Sequence, residues 1–314
     1  LDPDQIETYR EELGQRQPGS ALLRKPDQDL LVQIGCATKV QGRFQPTLTG
    51  ILFFGRDPQH FYPSFTVTFL HFAGTSAAEV DPDGPLYLDN REFRGTLPAM
   101  IHTARATIFD NLGKQARMKG FVRQDVADYP ELAYREALVN AIGHRDYGLE
   151  GRSVQVRLFT DRLEVQSPGG LGGDLTVENM VYEQYTRNPH IMRLLEQHGY
   201  VEQRGLGIDR MIHAMNGAKL PPPSFEDRGT SFWVTLQKGT AALPLADMAR
   251  MGLNDRQARA LQYLHVHGRI TNRQYQTEFG VSERNALYDL QGLVDAGLAL
   301  PLSSGRGRHY ILRD

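Results

Sequence analysis

The sequence holds one cysteine, Cys36, in 314 residues. A single thiol cannot close an intrachain disulfide or build a cysteine-rich zinc site. Set between Ile34 and Ala37, it reads as a small buried residue. No apolar run approaches the roughly 18 residues of a membrane span, and no signal peptide is visible. The expectation is a cytoplasmic protein with no membrane partner. Neither sign of charge dominates: 35 Lys and Arg meet 37 Asp and Glu, a net charge of −2. That balance excludes a global pull toward nucleic acid, so any such contact must come from a local patch. His60, His71 and His102 stand isolated, without the spacing of metal ligands. What is there is ordinary for a globular chain, with 40 % hydrophobic and 23 % charged residues. The length suffices for two or three domains with cores of their own.

The most informative stretch runs from Asp128 to Tyr147 and reads as one helix. Asp128 can cap it, Glu131 completes a capping box, and Pro130 falls in the first turn. Tyr134, Leu138, Ala141 and Ile142 share an inward side. Glu136, Asn140 and His144 step by four along another side. Such a line is ordinarily a solvated polar face. It can also supply a general base, a metal ligand and a phosphate contact.

Further on, two alternating strands, 153–159 and 162–166, join at Thr160-Asp161. The second runs into Ser167-Pro-Gly-Gly-Leu-Gly-Gly173. Glycine at Gly169, Gly170 and Gly172 permits the close backbone approach of a phosphate- or base-binding loop. Residues 174–190 are polar, and Arg187, Asn188 and His190 can meet phosphate or serve an ordinary surface connection. A helix over 190–198 follows. Then Gly205-Leu-Gly207 opens a helix over 207–216, presenting free amides to an anion. Gly229-Thr230-Ser-Phe-Trp-Val-Thr-Leu236 reads as a closing strand.

Taken in order, these motifs resemble the GHKL ATPases: gyrase, the heat-shock chaperone ATPases, MutL and histidine kinases. Glu136-x-x-x-Asn140 resembles their N box, the two glycine stretches their glycine boxes, and 174–190 their lid. The string Arg135 to Tyr147 is closer to bacterial and archaeal regulators and RecG-like ATP-binding proteins, which carry a Schlafen-type AlbA domain ahead of the ATPase-like one. The resemblance covers roughly residues 40–240. It implies an α/β (α+β) GHKL sandwich that binds ATP with Mg²⁺. Glu136 would be the catalytic base and Asn140 the metal ligand. His144, Asp146, Ser167, Gly169, Gly170, Gly172, Arg187, Gly205, Gly207 and Thr230 would contact the nucleotide. In this pattern an Asp that reads the adenine amino group is expected where Ser167 stands. The alternative is therefore a non-catalytic nucleic-acid-binding regulator with a vestigial pocket. A histidine-kinase-like phosphotransferase ranks last, because no phospho-acceptor helix is visible.

Residues 1–115 read as an α/β segment that would follow a missing AlbA-like domain. Its expected elements are helices over 2–13 and 27–35, strands at Leu48–Phe54 and 64–73, an extended 86–93 and a long helix to about Leu112. The ATPase-like domain occupies 116–240, and Gly239–Asp247 reads as a linker. Residues 250–314 give helix, helix–turn–helix and hairpin, resembling a winged helix. Leu287, Leu290, Leu293 and Val294 are expected on the core side of its third helix. From Asp255 onward eight Arg stand against six Asp and Glu, a charge of +2. Arg273, Arg284 and Asn285, with Arg306 and Arg308 on the wing, form a modest duplex-DNA footprint. Protein contacts or dimerisation are the other use of such a module. The whole reads as an ATP-binding, DNA-binding regulator, expected to be a homodimer, with nucleotide as a switch.

Overall fold

The computed structural model describes residues 1–78, 85–119, 122–201, 206–238, 253–267, 269–302 and 308–312. Contacts divide the chain into two units, Leu1–Gly239 and Thr240–Asp314. The expected linker, Gly239–Asp247, lies outside the described residues.

The first unit opens with α1 (Pro3–Arg16), where the Asp2 side chain accepts from the Asp4 amide. Next come α2 (Asp27–Gln33) and a hairpin of β1 (Ala37–Val40) and β2 (Arg43–Pro46). That hairpin left no sequence signal, since one of its eight residues is buried. Helix α3 (Leu48–Phe54) replaces the expected strand. The Thr47 hydroxyl accepts from the Gly50 amide at 3.2 Å and starts the helix. Leu52, Phe53 and Phe54 are all buried, so the run carries no period that separates helix from strand. The one-turn α4 (Pro58–Phe61), strands β3 (Val67–His71) and β4 (Asp89–Phe93), and α5 (Leu97–Asn111) follow. Thr96 caps α5, its hydroxyl accepting from the Ala99 amide. A second hairpin, β5 (Lys114–Lys119) with β6 (Val122–Ala127), leads to α6 (Glu131–Gly143). The unit finishes with β7 (Val154–Leu158), β8 (Arg162–Pro168), α7 (Pro189–Gln197), α8 (Gly207–Gly217), β9 (Ser224–Asp227) and β10 (Ser231–Gln237).

Six strands form one mixed sheet in the order β4-β3-β7-β8-β10-β9. Its pairs are antiparallel except β3 with β7, which run parallel from Val67↔Val154 to His71↔Leu158. This pairing joins chain before residue 115 to chain after it in one α+β core. Tyr134, Leu138 and Ile142 of α6 are buried with Val156, Leu163, Val165 and Val234 of the sheet. Each such side chain contributes roughly 1.5–3 kcal/mol to holding the helix on the sheet.

Two expectations for α6 are corrected. Pro130, not Asp128, occupies the cap position, and no side chain caps the helix. Asp128 instead pairs with Lys238 at 2.8 Å, and Glu131 with Arg105 at 2.7 Å. The helix also ends at Gly143, so His144–Tyr147 is loop. Arg145 fixes that loop. It is 2 % exposed and donates to the carbonyls of Asp146, Leu149 and Arg152, with its guanidinium 4.1 Å over the Phe65 ring. Three charge-assisted hydrogen bonds and a ring face offset its desolvation.

The second unit comprises α9 (Asp255–His267), β11 (Ile270–Thr271), α10 (Asn272–Phe279), α11 (Glu283–Asp295), β12 (Ala299–Leu302) and β13 (His309–Leu312). Its sheet order is β11-β13-β12, all antiparallel. Thr271 and Gln274 form a capping box on α10, Gly280 ends it at φ 64°, and Ser282 caps α11. The core holds Leu261, Leu264, Tyr275, Leu290 and Leu293. Leu287, expected inward, is 42 % exposed, and Asp289 is fully buried in its stead. Asn254, Arg256 and Tyr275 all donate to the Asp289 carboxylate, and this polar hub turns α11 relative to the simple apolar pattern.

Candidate functional site

Glu136 and Asn140 stand about one turn apart on α6. Glu136 is 4 % exposed, and Asn140 Nδ2 donates to Glu136 Oε1 at 3.2 Å. The bond uses the amide nitrogen and leaves the amide oxygen available as a ligand atom. Gly207 opens α8 directly against the same carboxylate, and a Cβ there would collide with Glu136 Oε1. A side chain at 207 would have to push the Glu136 carboxylate aside.

Ser167 stands near the end of β8, 5 % exposed, and its hydroxyl donates to the Ala141 carbonyl of α6 at 2.7 Å. Beyond it the chain turns at Gly169, φ 97°. The Gly169 amide donates to the Thr230 carbonyl at 3.0 Å, and Gly170 to Gly229 at 2.9 Å. These bonds hang the glycine loop from the start of β10. The Asp146 amide donates to the Pro168 carbonyl at 2.8 Å. Asp146 Oδ2 meets Arg187 Nη1 at 2.9 Å, and Arg187 Nη2 donates to the Gly170 carbonyl at 3.0 Å. A Cβ at Gly169 would run into both Asp146 and Arg187. Asp146, the glycine loop and Arg187 thus form a clasp that draws residues 174–187 toward the sheet. The Tyr185 ring lies against Gly172 and Gly173. Burial first, and the Arg187 charge second, hold the His144 imidazole below its ordinary value. It is neutral at pH 7.

A cavity of about 470 Å³ opens between sheet and helices. Glu136, Asn140, His144, Ser167, Gly169, Gly170, Gly172, Arg187 and Gly207 all line it. Its volume and its mix of an apolar wall with few convergent polar groups are those of a small-molecule site. Asp146 and Thr230 are not on the wall: the first orients Arg187, and the second contributes a carbonyl to the loop while its side chain is exposed. Gly205 lies outside the described residues. Asn188 and His190 serve elsewhere. Asn188 donates to the carbonyls of Gly143 and Arg145, and His190 packs on Gly35.

The sequence reading missed the apolar wall, in particular Met180, Met192, Met211, Phe225, Phe232 and Val234. A strand residue facing a cavity shows the same alternation as one facing a core, so no period could separate them. Among the described residues no group of three or more His, Cys, Asp or Glu could hold a metal ion. A single amide oxygen beside a carboxylate suits Mg²⁺ that arrives with phosphates and keeps its waters, and it does not suit an all-protein cage.

In the second unit Arg273, Arg284 and Asn285 are exposed. Arg284 and Asn285 lie in the first turn of α11, beside Leu287 and Tyr288, which is 76 % exposed. The Arg308 guanidinium lies 5.3 Å over the Tyr310 ring. Arg306 falls outside the described residues.

Residues 151–236 match the family described as "Putative ATP-dependent DNA helicase recG C-terminal", so the chain carries an ATPase-like region. Residues 1–68 match a domain family of unknown function. A solved structure, the DIP2311 protein from Corynebacterium diphtheriae, is similar over 97 % of this chain at 24 % identity and a TM-score of 0.56. The likeness at that identity is one of fold, and this chain spans 61 % of that protein's length. No curated protein matches the chain. Among the described residues no helix is long and apolar enough to cross a membrane.

Proposed function

We propose that the first unit binds ATP with Mg²⁺ in this cavity and that the chain is a DNA-binding regulator switched by that nucleotide. The observation that carries the reading is convergence: Glu136, Asn140, the Ser167–Gly173 loop and Gly207 come from distant stretches and line one cavity. The base would lie against Val165, Phe232 and Met211. The Ser167 hydroxyl, having donated to Ala141, keeps lone pairs that can accept from an exocyclic amino group. Glu136, buried and oriented by Asn140, would position or deprotonate a water. Asn140 would hold the cation, which neutralises phosphate charge when bound. Arg187 and the 171–187 segment would cover the phosphates and exclude water. The dimer and the control of transcription belong to the same proposal.

The second unit supports the DNA half as a winged helix: α11 would enter a major groove with Arg284 and Asn285 leading, and Arg306 and Arg308 would reach the backbone. One observation favours a rival use. Leu287 and Tyr288 are exposed beside Arg284, an apolar surface suited to protein contact. A rival for the cavity is a vestigial, non-catalytic site, favoured by Ser167 standing where a carboxylate would read adenine.

Calorimetric titration of ATP with Mg²⁺ into the wild type and Asn140→Ala tests the nucleotide reading. Saturable binding by the wild type, weakened at least tenfold in the variant, supports it. Absence of binding to the wild type at millimolar ATP overturns it.

A further inference from the structure

A second recess, about 390 Å³, lies in the first unit away from the cavity described above. Its walls come from the last turns of α1, the middle of α5, one residue of α6 and the chain just past α7. They bring Arg16, His102, Arg105, Arg135 and His198 to one place. Arg105 is paired with Glu131 at 2.7 Å. Among the described residues neither Arg16 nor Arg135 has an ion-pair partner, and Arg135 Nε is buried without a hydrogen bond. Two guanidinium groups without an ion-pair partner on one concave surface attract an anion, although the Glu12 carboxylate shares the lining.

His198 gives the recess a rigid wall. It is 8 % exposed, and its Nε2 is buried without a hydrogen-bond partner. Its ring cannot turn away. It stacks on Phe53 at 5.7 Å and on Tyr200 at 6.1 Å, and Nδ1 is held by Glu12 Oε2 at 2.6 Å. Nδ1 is thus committed, and the imidazole is a fixed part of the wall of the recess, its Nε2 out of reach of solvent. Arg16 is seated as well, with its guanidinium lying against Gly199. A backbone of this kind holds donors in place before a ligand arrives.

We infer that this recess is a binding site for a small phosphate dianion, either free phosphate or a phosphate monoester. Arg135 and Arg16 supply the forked donors that match phosphate oxygens. The Glu12 carboxylate faces the histidine and sets its orientation. Volume decides against a bare coordinating ion, since the recess has room for an ester group beyond the phosphate. Arg135 and Glu136 are consecutive in α6, the first on this recess and the second on the large cavity. The site is nonetheless separate from the nucleotide reading, and neither depends on the other.

The test is calorimetric titration of the intact chain with inorganic phosphate and, in parallel, with glycerol 3-phosphate, at constant ionic strength. One site is expected for both. Tighter binding of the monoester than of phosphate assigns the recess to esters, and the reverse order assigns it to free phosphate. Arg16→Gln and Arg135→Gln are each expected to weaken binding roughly tenfold or more, the loss of one charge-assisted hydrogen bond. Arg16 is exposed, so its variant folds even if the Arg135 one does not. Asn140→Ala is expected to bind phosphate like the wild type, which separates this site from the large cavity. No heat with either ligand at ten millimolar, or affinities unmoved by both arginine variants, or a loss of phosphate binding in Asn140→Ala, overturns the assignment.

Discussion

Asp289→Ala should destabilise the second unit and leave the first intact. Asp289 is fully buried on α11. Its carboxylate accepts from Asn254 Nδ2 at 2.8 Å, Arg256 Nε at 2.8 Å and the Tyr275 hydroxyl at 3.2 Å. Asn254 is exposed and Arg256 partly exposed, and both can turn to water. The wholly buried Tyr275 cannot, so one donor is left unsatisfied at about 1–3 kcal/mol. A single core of this size supplies only about 3–5 kcal/mol, so the loss is a large share of the unit's stability. Hydrogen exchange read by mass spectrometry is the suitable assay, because it reports each unit separately. Protection in 255–295 should fall while α6 and β8 keep theirs. Asp289→Asn, which retains an acceptor oxygen, should lose less. Burial alone would raise the Asp289 carboxyl, but hydrogen bonds from Arg256 and Asn254 and the Arg256 charge bring it below its ordinary value. With the folded value depressed, this contribution is present above the unfolded value of about 3.9 and lost as pH falls through the folded one. The unit's acid unfolding should therefore begin below about pH 4. Unchanged protection in Asp289→Ala would refute the reasoning.

Glu136→Gln should preserve ATP binding and lower any turnover by roughly 10²–10⁴-fold in a phosphate-release assay; equal rates would remove Glu136 from the chemistry. Gly207→Val should displace the Glu136 carboxylate, and fluorescence-monitored nucleotide binding should fall with the fold retained by circular dichroism; unaltered binding would contradict the close approach. Removal of residues 245–314 should abolish duplex-DNA binding in gel-shift assays while leaving ATP affinity unchanged. Retained DNA binding would make the second unit a protein-contact module. His144 and His198 are both held below the ordinary histidine value, by burial first, so they stay neutral near pH 7. Their stability contribution is present above about pH 6.5 and lost as pH falls through their folded values. NMR titration of the two imidazoles should place both midpoints below 6.5, and a midpoint above it would reverse the sign.

Local chemistry made much of the chain legible by itself. Thr96, Thr271 and Ser282 stand where helices begin because their hydroxyls accept amide hydrogens within three residues. The hairpin at Thr160-Asp161 and the turn at Gly280 are of the same kind, interactions among neighbours in the chain. Glu136, Asn140 and the glycine loop were visible because residue type and spacing carry their chemistry. Tertiary structure decided the rest. Leu48–Phe54 became helix because burial on every side erases the period. The Asp128 side chain left the helix end for Lys238, more than a hundred residues away. Asp289 displaced Leu287 from the core side of α11 through partners on α9 and α10. The parallel pairing of β3 with β7 joined two stretches that read as separate. The cavity and the arginine-lined recess exist only where such distant segments meet, and a contact between segments so far apart leaves no mark on the order of residues in either.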